Sequence, residues 1–232
     1  MKRGKTLQEI LPVVLIDFGG TLDADGVAWK ERFFRLWREE AGAIAPERFD
    51  PAFYAADDAV VGAVPPTLSF RETVERIVQG LARALNFNDP ALVERIAKRF
   101  SDDAVARLHA NRPQLSRLSA RYRLGLVSNF YGNLTAVCAE VGIDRFFTVM
   151  VDSARIGCVK PDPRIFREAL TALKAEPAQA VFVGDSLRRD MAGARGIGMP
   201  HIWLKSKTSQ EVGPCCPGDP VIQRLEELGM LL

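Results

Sequence analysis

Short apolar runs alternate with helical patterns along this chain of 232 residues, and this alternation constrains the fold more than any other feature. Apolar runs of about four residues between turn residues are typical of buried strands, and strands separated by helices pair in parallel through crossover connections. The predicted strands are Val13–Ile16, 124–127, 148–151, 180–183 and His201–Leu204. The sequence therefore predicts an α/β fold with a doubly wound parallel sheet.

A long stretch between the first two predicted strands carries helix signals and no convincing strand. Aromatic residues recur at helical spacing over 29–37, Ser69 begins a capping box, and Asp89 precedes a proline at a helix start. We interpret this stretch as an all-helical insertion. The predicted domains are a Rossmann-like core of residues 1–26 and 112–232 and a helical cap of residues 27–111.

The charge balance and the length of the apolar runs exclude several classes of partner. Lys and Arg total 31 against 29 Asp and Glu, and no basic stripe interleaved with aromatics is present. The apolar run that ends at Ile16 is far shorter than the roughly 20 residues of a membrane span, and it is too short for a secretory leader. We therefore expect a soluble, cytoplasmic protein that binds neither nucleic acid nor membranes.

The cysteines follow no recognisable metal or disulfide pattern. They lack a Cys-x-x-Cys pair, and the two histidines lie far from them in sequence. We expect ordinary reduced thiols, as is usual inside cells. The role of the adjacent cysteines Cys215 and Cys216 stays open. The cysteines are Cys138, Cys158, Cys215 and Cys216.

Polar residues with phosphate chemistry stand at the ends of the predicted strands. Asp17 follows the first strand, Ser128 and Asn129 follow the second, Asp185 follows the fourth, and Lys160 precedes the helix that leads to the fourth. In open parallel sheets the binding crevice lies beyond the carboxyl ends of the strands. We therefore expect these side chains to converge on one site.

Each of these residue types suits one part of a phosphoryl transfer. The carboxylate of Asp17 can attack phosphorus, and Asp17 with Asp185 can hold Mg²⁺, which prefers oxygen ligands. The hydroxyl and amides of Ser128 and Asn129 can donate hydrogen bonds to phosphate oxygens, and Lys160 can balance charge on Asp17 and on the transferring group. Such a site would bind a small phosphorylated molecule.

The order of these motifs resembles that of the haloacid dehalogenase superfamily, in the subfamily with a helical cap inserted after the first motif. The resemblance covers nearly the whole chain. Its motifs are Asp17-x-Gly-Gly-Thr-Leu, Ser128, Lys160-Pro161 and Gly184-Asp185-Ser186-x-x-x-Asp190.

The resemblance implies a Rossmann-like core and a mobile cap that closes over the substrate. It implies Mg²⁺ held by Asp17, the main-chain carbonyl of Gly19 and Asp185, with Asp190 in support. The implied catalytic residues are Asp17, Ser128 and Lys160, and the implied substrate contacts are Gly20, Thr21, Ser128, Asn129 and Lys160.

The chain departs from the resemblance at Gly19, where phosphatases of the superfamily usually have a second Asp. That Asp serves as general acid and then general base, and such groups contribute on the order of 10²–10⁴-fold to rate. A backbone carbonyl at Gly19 could still bind Mg²⁺, but glycine cannot transfer a proton. Without an acid, the rate of hydrolysis should depend steeply on the acidity of the leaving group. Gly19→Asp should then restore cleavage of alkyl phosphates. This requires that the new side chain fits and that the backbone at Gly19 does not require glycine.

Three interpretations compete. The favoured one is a phosphatase that needs little proton transfer to its leaving group or that obtains a proton from Asp23, Asp25, a cap residue or water. The second is a phosphonatase- or dehalogenase-like hydrolase. The metal motif weighs against the dehalogenase, and the phosphonatase needs a cap lysine for a Schiff base, for which Lys30 and Lys98 lack a matching local motif. The third is a phosphate-binding protein with little turnover. The substrate remains open between a sugar phosphate, a nucleotide and a phosphoglycolate-like acid, as does the oligomeric state.

The remaining polar and aromatic residues are assigned structural roles. Asp23 and Asp25 are expected in an exposed turn, because Asp-x-Asp-Gly is a common turn composition. Arg188 and Arg189 are expected on a solvated helix face, and the aromatic stripe beginning at Trp29 between cap helices. The histidines have no identifiable acid or base partner.

Overall fold

The computed structural model of the protein describes residues 11–209, 213–214 and 218–232, so Cys215 and Cys216 lie outside the described residues. The strands are β1 (Val13–Ile16), β2 (Arg123–Ser128), β3 (Val149–Asp152), β4 (Ala180–Gly184), β5 (His201–Leu204) and β6 (Val221–Ile222). They form one sheet in the order β3-β2-β1-β4-β5-β6, with every pairing parallel. The five predicted strands are confirmed, and the two-residue β6 adds an edge that was not predicted.

The centre of the sheet is the point where its strand order reverses. Ile16 at the end of β1 pairs with Leu126 of β2 on one side and with Val183 of β4 on the other. The main-chain amide of Asp17 then donates to the carbonyl of Val183 at 3.0 Å. The residues that follow β1, β2 and β4 are therefore held side by side at the carboxyl edge, where ligands bind in open α/β sheets.

Helices of very unequal length surround the sheet. Ser69 and Glu72 form the predicted capping box, and Asp89 accepts hydrogen bonds from the first amides of its helix. The helices are α1 (Trp29–Ala41), α2 (Pro46–Asp58), α3 (Phe70–Ala84), α4 (Pro90–Ser119), α5 (Leu134–Glu140), α6 (Ser153–Ile156), α7 (Pro163–Ala172), α8 (Ala192–Gly196) and α9 (Leu228–Leu231). A kinked turn, Phe18–Leu22, and a π-helical turn, Leu187–Met191, follow β1 and β4 closely.

The residues between β1 and β2 contain helices and turns but no strand, as the insertion predicts. The last of these helices, α4, is 30 residues long and runs through residue 111, where the predicted cap ends. Inside α4, the side-chain amide of Asn111 donates to the carbonyl of Leu22 at 2.8 Å. The division into core and cap stays a prediction, because one helix belongs to both sides of the proposed boundary.

Apolar residues cover both faces of the sheet. One cluster joins Val14 and Ile16 to the helices of the insertion, and the other packs Leu15 and Phe182 against α7 and α8. Within the first cluster, the rings of Phe33 and Phe100 stack with centroids 4.1 Å apart. In the part of the chain that the structure describes, no helix is both long enough and apolar enough to cross a bilayer.

Candidate active site

Asp17 is the first residue after β1, and its carboxylate is almost completely buried. Lys160 lies before α7, and its ammonium nitrogen is 2.6 Å from Asp17 Oδ1 and 2.7 Å from Asp190 Oδ1. Burial raises the pKa of Asp17 to about 6, although Lys160 opposes this rise. Burial would lower the pKa of Lys160, but the two carboxylates outweigh it and raise this pKa. Lys160 is therefore a cation held between two acids.

The backbone of Lys160 is anchored by Asn129, which follows β2. Asn129 Oδ1 accepts from the Lys160 amide at 2.7 Å, and Asn129 Nδ2 donates to the Lys160 carbonyl at 3.2 Å. Both polar groups of the Asn129 side chain therefore bind the backbone of Lys160, and the predicted contact of Asn129 with a substrate stays a prediction. Its neighbour Ser128 is buried beside Asp17 and stabilises the Asp17 carboxylate through a hydrogen bond.

Asp185 follows β4, and two residues of the motif that begins at Asp17 lie close to its carboxylate. Thr21 is fully buried and donates its hydroxyl to Asp185 Oδ1 at 3.0 Å, so this hydroxyl orients a carboxylate. Gly20 has a φ of 87°, and a Cβ atom there would lie 2.5 Å from Asp185 Oδ2. Glycine is required at this position for both reasons.

The carboxylates of Asp17, Asp185 and Asp190 offer oxygen atoms within 4.8 Å of one another. Burial and the neighbouring acids Asp190 and Asp17 raise the pKa of Asp185 well above its usual range. Two buried acids, Asp17 and Asp190, and the half-buried Asp185 face one lysine and form an excess of negative charge that a divalent cation would offset. Carboxylate oxygens are the ligands that Mg²⁺ prefers. The residues present therefore fit the predicted Mg²⁺ site. The contribution of the Gly19 carbonyl stays a prediction.

Gly19 has φ −76° and ψ 121°, which any residue can adopt, so the suggestion that this backbone requires glycine is wrong. The space beside Gly19 is instead occupied by a side chain. A Cβ atom on Gly19 would lie 3.2 Å from Trp29 Nε1 and 3.5 Å from Trp29 Cε2. The indole of Trp29 therefore covers the position at which the resemblance implies a second Asp.

The expectation that Asp23 lies in an exposed turn is wrong. Asp23 is buried, and its carboxylate accepts from the amide of Gly20 at 2.7 Å, the indole of Trp29 at 2.8 Å and Arg32 Nη1 at 2.6 Å. Arg32 is also buried and supplies the countercharge. All these partners make Asp23 unsuitable as a proton donor. Asp25 does lie in a left-handed turn and pairs with Arg107 at 3.0 Å.

A cavity of about 480 Å³ opens over these residues. Arg188 and Arg189, predicted on a solvated helix face, line it, so they are exposed but face the site. Trp29 also lines it, although the aromatic residues that follow it in α1 are buried as predicted. The residues that line this cavity include Asp17, Gly19, Trp29, Lys30, Glu31, Tyr54, Asp57, Ser128, Asn129, Tyr131, Lys160, Asp185, Arg188, Arg189 and Asp190. A larger groove of about 1310 Å³ continues from Asp185 and the two arginines towards α1.

The two candidate Schiff-base lysines differ in position. Lys30 lines the cavity, but it pairs with Glu31 at 2.9 Å and Asp50 at 3.0 Å. Its pKa is raised, because these acids outweigh the effect of burial. Lys98 pairs with Asp102 on an exposed face of α4. Schiff-base formation requires a neutral amine, which the environment of Lys30 does not favour.

Two further assignments concern histidine and cysteine. His201 Nε2 lies 3.0 Å from Asp219 Oδ2, a partner that could not be identified from the sequence. Asp219 is distant in sequence and comes close only because β5 and β6 pair. Cys138 and Cys158 are buried free thiols, as predicted.

Residues 11–198 match the haloacid dehalogenase-like hydrolase family. The chain belongs to this family. Several solved structures share the fold of this haloacid dehalogenase-like hydrolase. A magnesium-bound hydrolase of the family from Bacillus subtilis is 21% identical with a TM-score of 0.59, covering 96% of this chain and 98% of that one. A dehalogenase is also 21% identical with a TM-score of 0.63, covering 96% and 97%.

Curated relatives of this haloacid dehalogenase-like hydrolase match shorter segments. The haloacid dehalogenase-like hydrolase domain-containing protein 3 of Mus musculus is 44% identical over 82 residues, 35% of this chain and 32% of the relative. A glyceraldehyde 3-phosphate phosphatase of Methanopyrus kandleri is 40% identical over 75 residues, 32% of each chain. The aligned segment thus spans about a third of the length of these relatives.

Proposed function

We propose that this hydrolase is a Mg²⁺-dependent phosphatase that acts on a small phosphorylated metabolite through an aspartyl-phosphate on Asp17. The observation that carries the proposal is the convergence of Asp17, Lys160, Asp185 and Asp190 at the base of one cavity. A nucleophile, a fixed cation and a divalent-cation site are the components that phosphoryl transfer requires. The similarity to a glyceraldehyde 3-phosphate phosphatase supports the same reaction class.

The proposed reaction has two displacements at phosphorus. Asp17 attacks the phosphorus of the bound monoester, the bond to the leaving oxygen breaks, and an aspartyl-phosphate forms. Water then attacks the same phosphorus, the bond to Asp17 breaks, and inorganic phosphate is released. Lys160 offsets charge on Asp17 and on the transferring group throughout.

When bound by Asp17, Asp185 and Asp190, Mg²⁺ would neutralise charge on the phosphoryl oxygens. Arg188 and Arg189 extend the positive field to the upper part of the cavity. A phosphate dianion entering the site would therefore meet cations at its base and rim, while its organic part would lie below α1 and α2.

The acidic cluster and the paired lysines favour this function over the alternatives. A C–halogen bond can be cleaved by Asp17 without a metal, so a dehalogenase would not need three converging carboxylates. A phosphonatase would need a neutral lysine in the cavity, where Lys30 is paired with two acids.

The test is phosphate release from a panel of phosphorylated metabolites with and without Mg²⁺, using the intact chain and two variants. Asp17→Asn should abolish release because the nucleophile is lost, whereas Asp25→Asn, a nearby turn variant, should retain it. Capture of phosphate on Asp17 by mass spectrometry would identify the intermediate. Release that persists in Asp17→Asn, or halide or aldehyde release in place of phosphate, would refute the proposal.

A further inference from the structure

One carboxyl group faces the cavity from the helical insertion rather than from the sheet. Asp57 is the penultimate residue of α2, is partly exposed, and lines the same cavity as Asp17 and Gly19. It does not belong to the acidic cluster that fits a metal.

A hydrogen bond from Tyr131 connects Asp57 to the loop that follows β2. The hydroxyl of Tyr131 donates to Asp57 Oδ1 at 2.5 Å, and the amide of Gly62 donates to the carbonyl of Tyr131 at 3.1 Å. Tyr131 lies three residues after Ser128 and is almost fully buried. The loop after β2, which begins directly after Ser128, therefore positions the acid of α2.

The other acids that line the cavity are engaged differently. Asp17 and Asp190 are paired with Lys160, Asp185 belongs to the same cluster, and Glu31 is paired with Lys30. Among the described residues lining the cavity, Asp57 is the carboxyl group outside that acidic cluster whose hydrogen-bond partner is neutral. A neutral partner does not require the carboxyl group to be ionised, so it leaves this group free to carry a proton.

Burial raises the pKa of Asp57, and the hydrogen bond from Tyr131 only partly opposes this. The pKa of Tyr131 is raised well above 10, by burial and then by Asp57, so the phenol remains a donor. A carboxylic acid with a raised pKa keeps its proton closer to neutral pH. The charged and titratable groups around Asp57 are Asp58 on its own helix, Tyr131 after β2, Arg189 after β4, and Lys30 and Glu31 across the cavity on α1.

We infer that Asp57 is the general acid and base of this phosphatase, replacing the group that Gly19 cannot supply. This inference rests on the proposed function. As Asp17 attacks phosphorus, the Asp57 carboxyl gives its proton to the leaving oxygen, which departs as an alcohol, and Asp57 becomes a carboxylate. In the second displacement, the Asp57 carboxylate takes a proton from the attacking water, the bond from phosphorus to Asp17 breaks, and protonated Asp57 is restored.

The test compares Asp57→Asn with Asp58→Asn, which alters the exposed neighbour on the same helix. The substrates are β-glycerophosphate, whose alkoxide leaves poorly, and p-nitrophenyl phosphate, whose phenolate leaves without a proton. Asp57→Asn should lower kcat/KM for β-glycerophosphate by at least about 10²-fold, the low end of the range for positioned acids, and kcat/KM for p-nitrophenyl phosphate far less. This ratio reports the first displacement, before the hydrolysis of the aspartyl-phosphate that both substrates share. Asp58→Asn should leave both rates close to those of the unaltered protein.

Tyr131→Phe provides a second measurement, because Tyr131 is inferred to be a positioning residue. Its hydroxyl lowers the pKa of Asp57, so its removal should move the fall in β-glycerophosphate turnover at high pH to still higher pH. Thermal unfolding of each variant would confirm that it is folded.

The possible outcomes separate the two proposals. If phosphate release depends on Asp17 but Asp57→Asn lowers kcat/KM for both substrates equally, or for neither, the assignment of Asp57 is wrong and the proposed function stands. If the unaltered protein releases no Asp17-dependent phosphate from either ester or from the metabolite panel, both proposals fail.

Discussion

The indole nitrogen of Trp29 lies 3.2 Å from the position that a Cβ atom on Gly19 would occupy. Asp23 holds this indole in place by accepting its N–H at 2.8 Å. Because the backbone at Gly19 is in an ordinary region, the neighbouring ring rather than the chain conformation restricts the residue at this position.

Gly19→Asp should therefore fail to increase alkyl-phosphate turnover, although the motif alone suggests that it would restore an acid. The larger side chain must displace the indole, and such overpacking costs about 1–3 kcal/mol of stability. Combining it with Trp29→Phe, which removes Nε1, should relieve part of this cost. Turnover of β-glycerophosphate and urea unfolding of the single and double variants would measure the coupling. An increase in turnover for Gly19→Asp alone would show that the Trp29 indole is displaced without hindering the reaction.

Asp23→Asn should destabilise the protein strongly, because it leaves the charge of buried Arg32 without a carboxylate 2.6 Å away. Breaking a buried ion pair by removing one partner costs roughly 3–5 kcal/mol. The control is Asp102→Asn, which breaks the exposed pair with Lys98 and should change stability by less than about 1 kcal/mol. Urea unfolding reports both values, and similar losses for the two variants would contradict the structural role of Asp23.

Thr21→Val should weaken Mg²⁺ binding by roughly 10–100-fold, because the lost hydroxyl orients Asp185. Asp185→Asn, which removes a ligand, should weaken binding more. Titration calorimetry with Mg²⁺ measures the affinity without substrate, and Thr135→Val on an exposed helix position provides the control. An affinity unchanged by Thr21→Val would mean that Asp185 does not depend on this hydrogen bond.

Asp57 should also affect the pH dependence of stability. Its pKa is 3.8 when unperturbed and is raised in the folded state, mainly by burial, so the folded chain binds its proton more tightly. As pH rises from about 3.8 through the raised folded pKa, the unaltered protein should lose stability relative to Asp57→Asn, by at most about 1.4 kcal/mol per pH unit. Urea unfolding between pH 4 and 7 would measure this difference. A difference that instead grows in favour of the unaltered protein would indicate a lowered pKa.

The fold and the base of the site could be predicted from sequence because both depend on local patterns. Buried runs such as Val13–Ile16 identify strands, and the parallel order places Asp17 and Asp185 at adjacent strand ends. The juxtaposition of Asp17 with Lys160 follows the same logic, and the 2.6 Å contact bears it out.

The remaining features depend on partners that are distant along the chain. The burial of Asp23 requires Arg32, which the turn composition of residues 23–26 does not reveal. Asn129 bonds to the backbone of Lys160, and backbone partners leave no trace in residue type. The pairing of Asp57 with Tyr131 joins residues 74 positions apart, so only the packing of α2 on the loop after β2 brings them together.

The continuous course of α4 has a mechanical consequence for any movement of the insertion. On one side, the insertion joins the sheet through the turn that follows Leu22. Rotation about a few backbone torsions of this turn would change the direction of the chain. On the other side, the insertion joins the sheet through α4. In this helix Pro113 interrupts the main-chain hydrogen bonds two residues beyond Asn111, whose side chain bonds to Leu22. If the insertion opens as a cap, we expect α4 to bend near Pro113 while the hydrogen bond from Asn111 to Leu22 keeps the two connections to the sheet together.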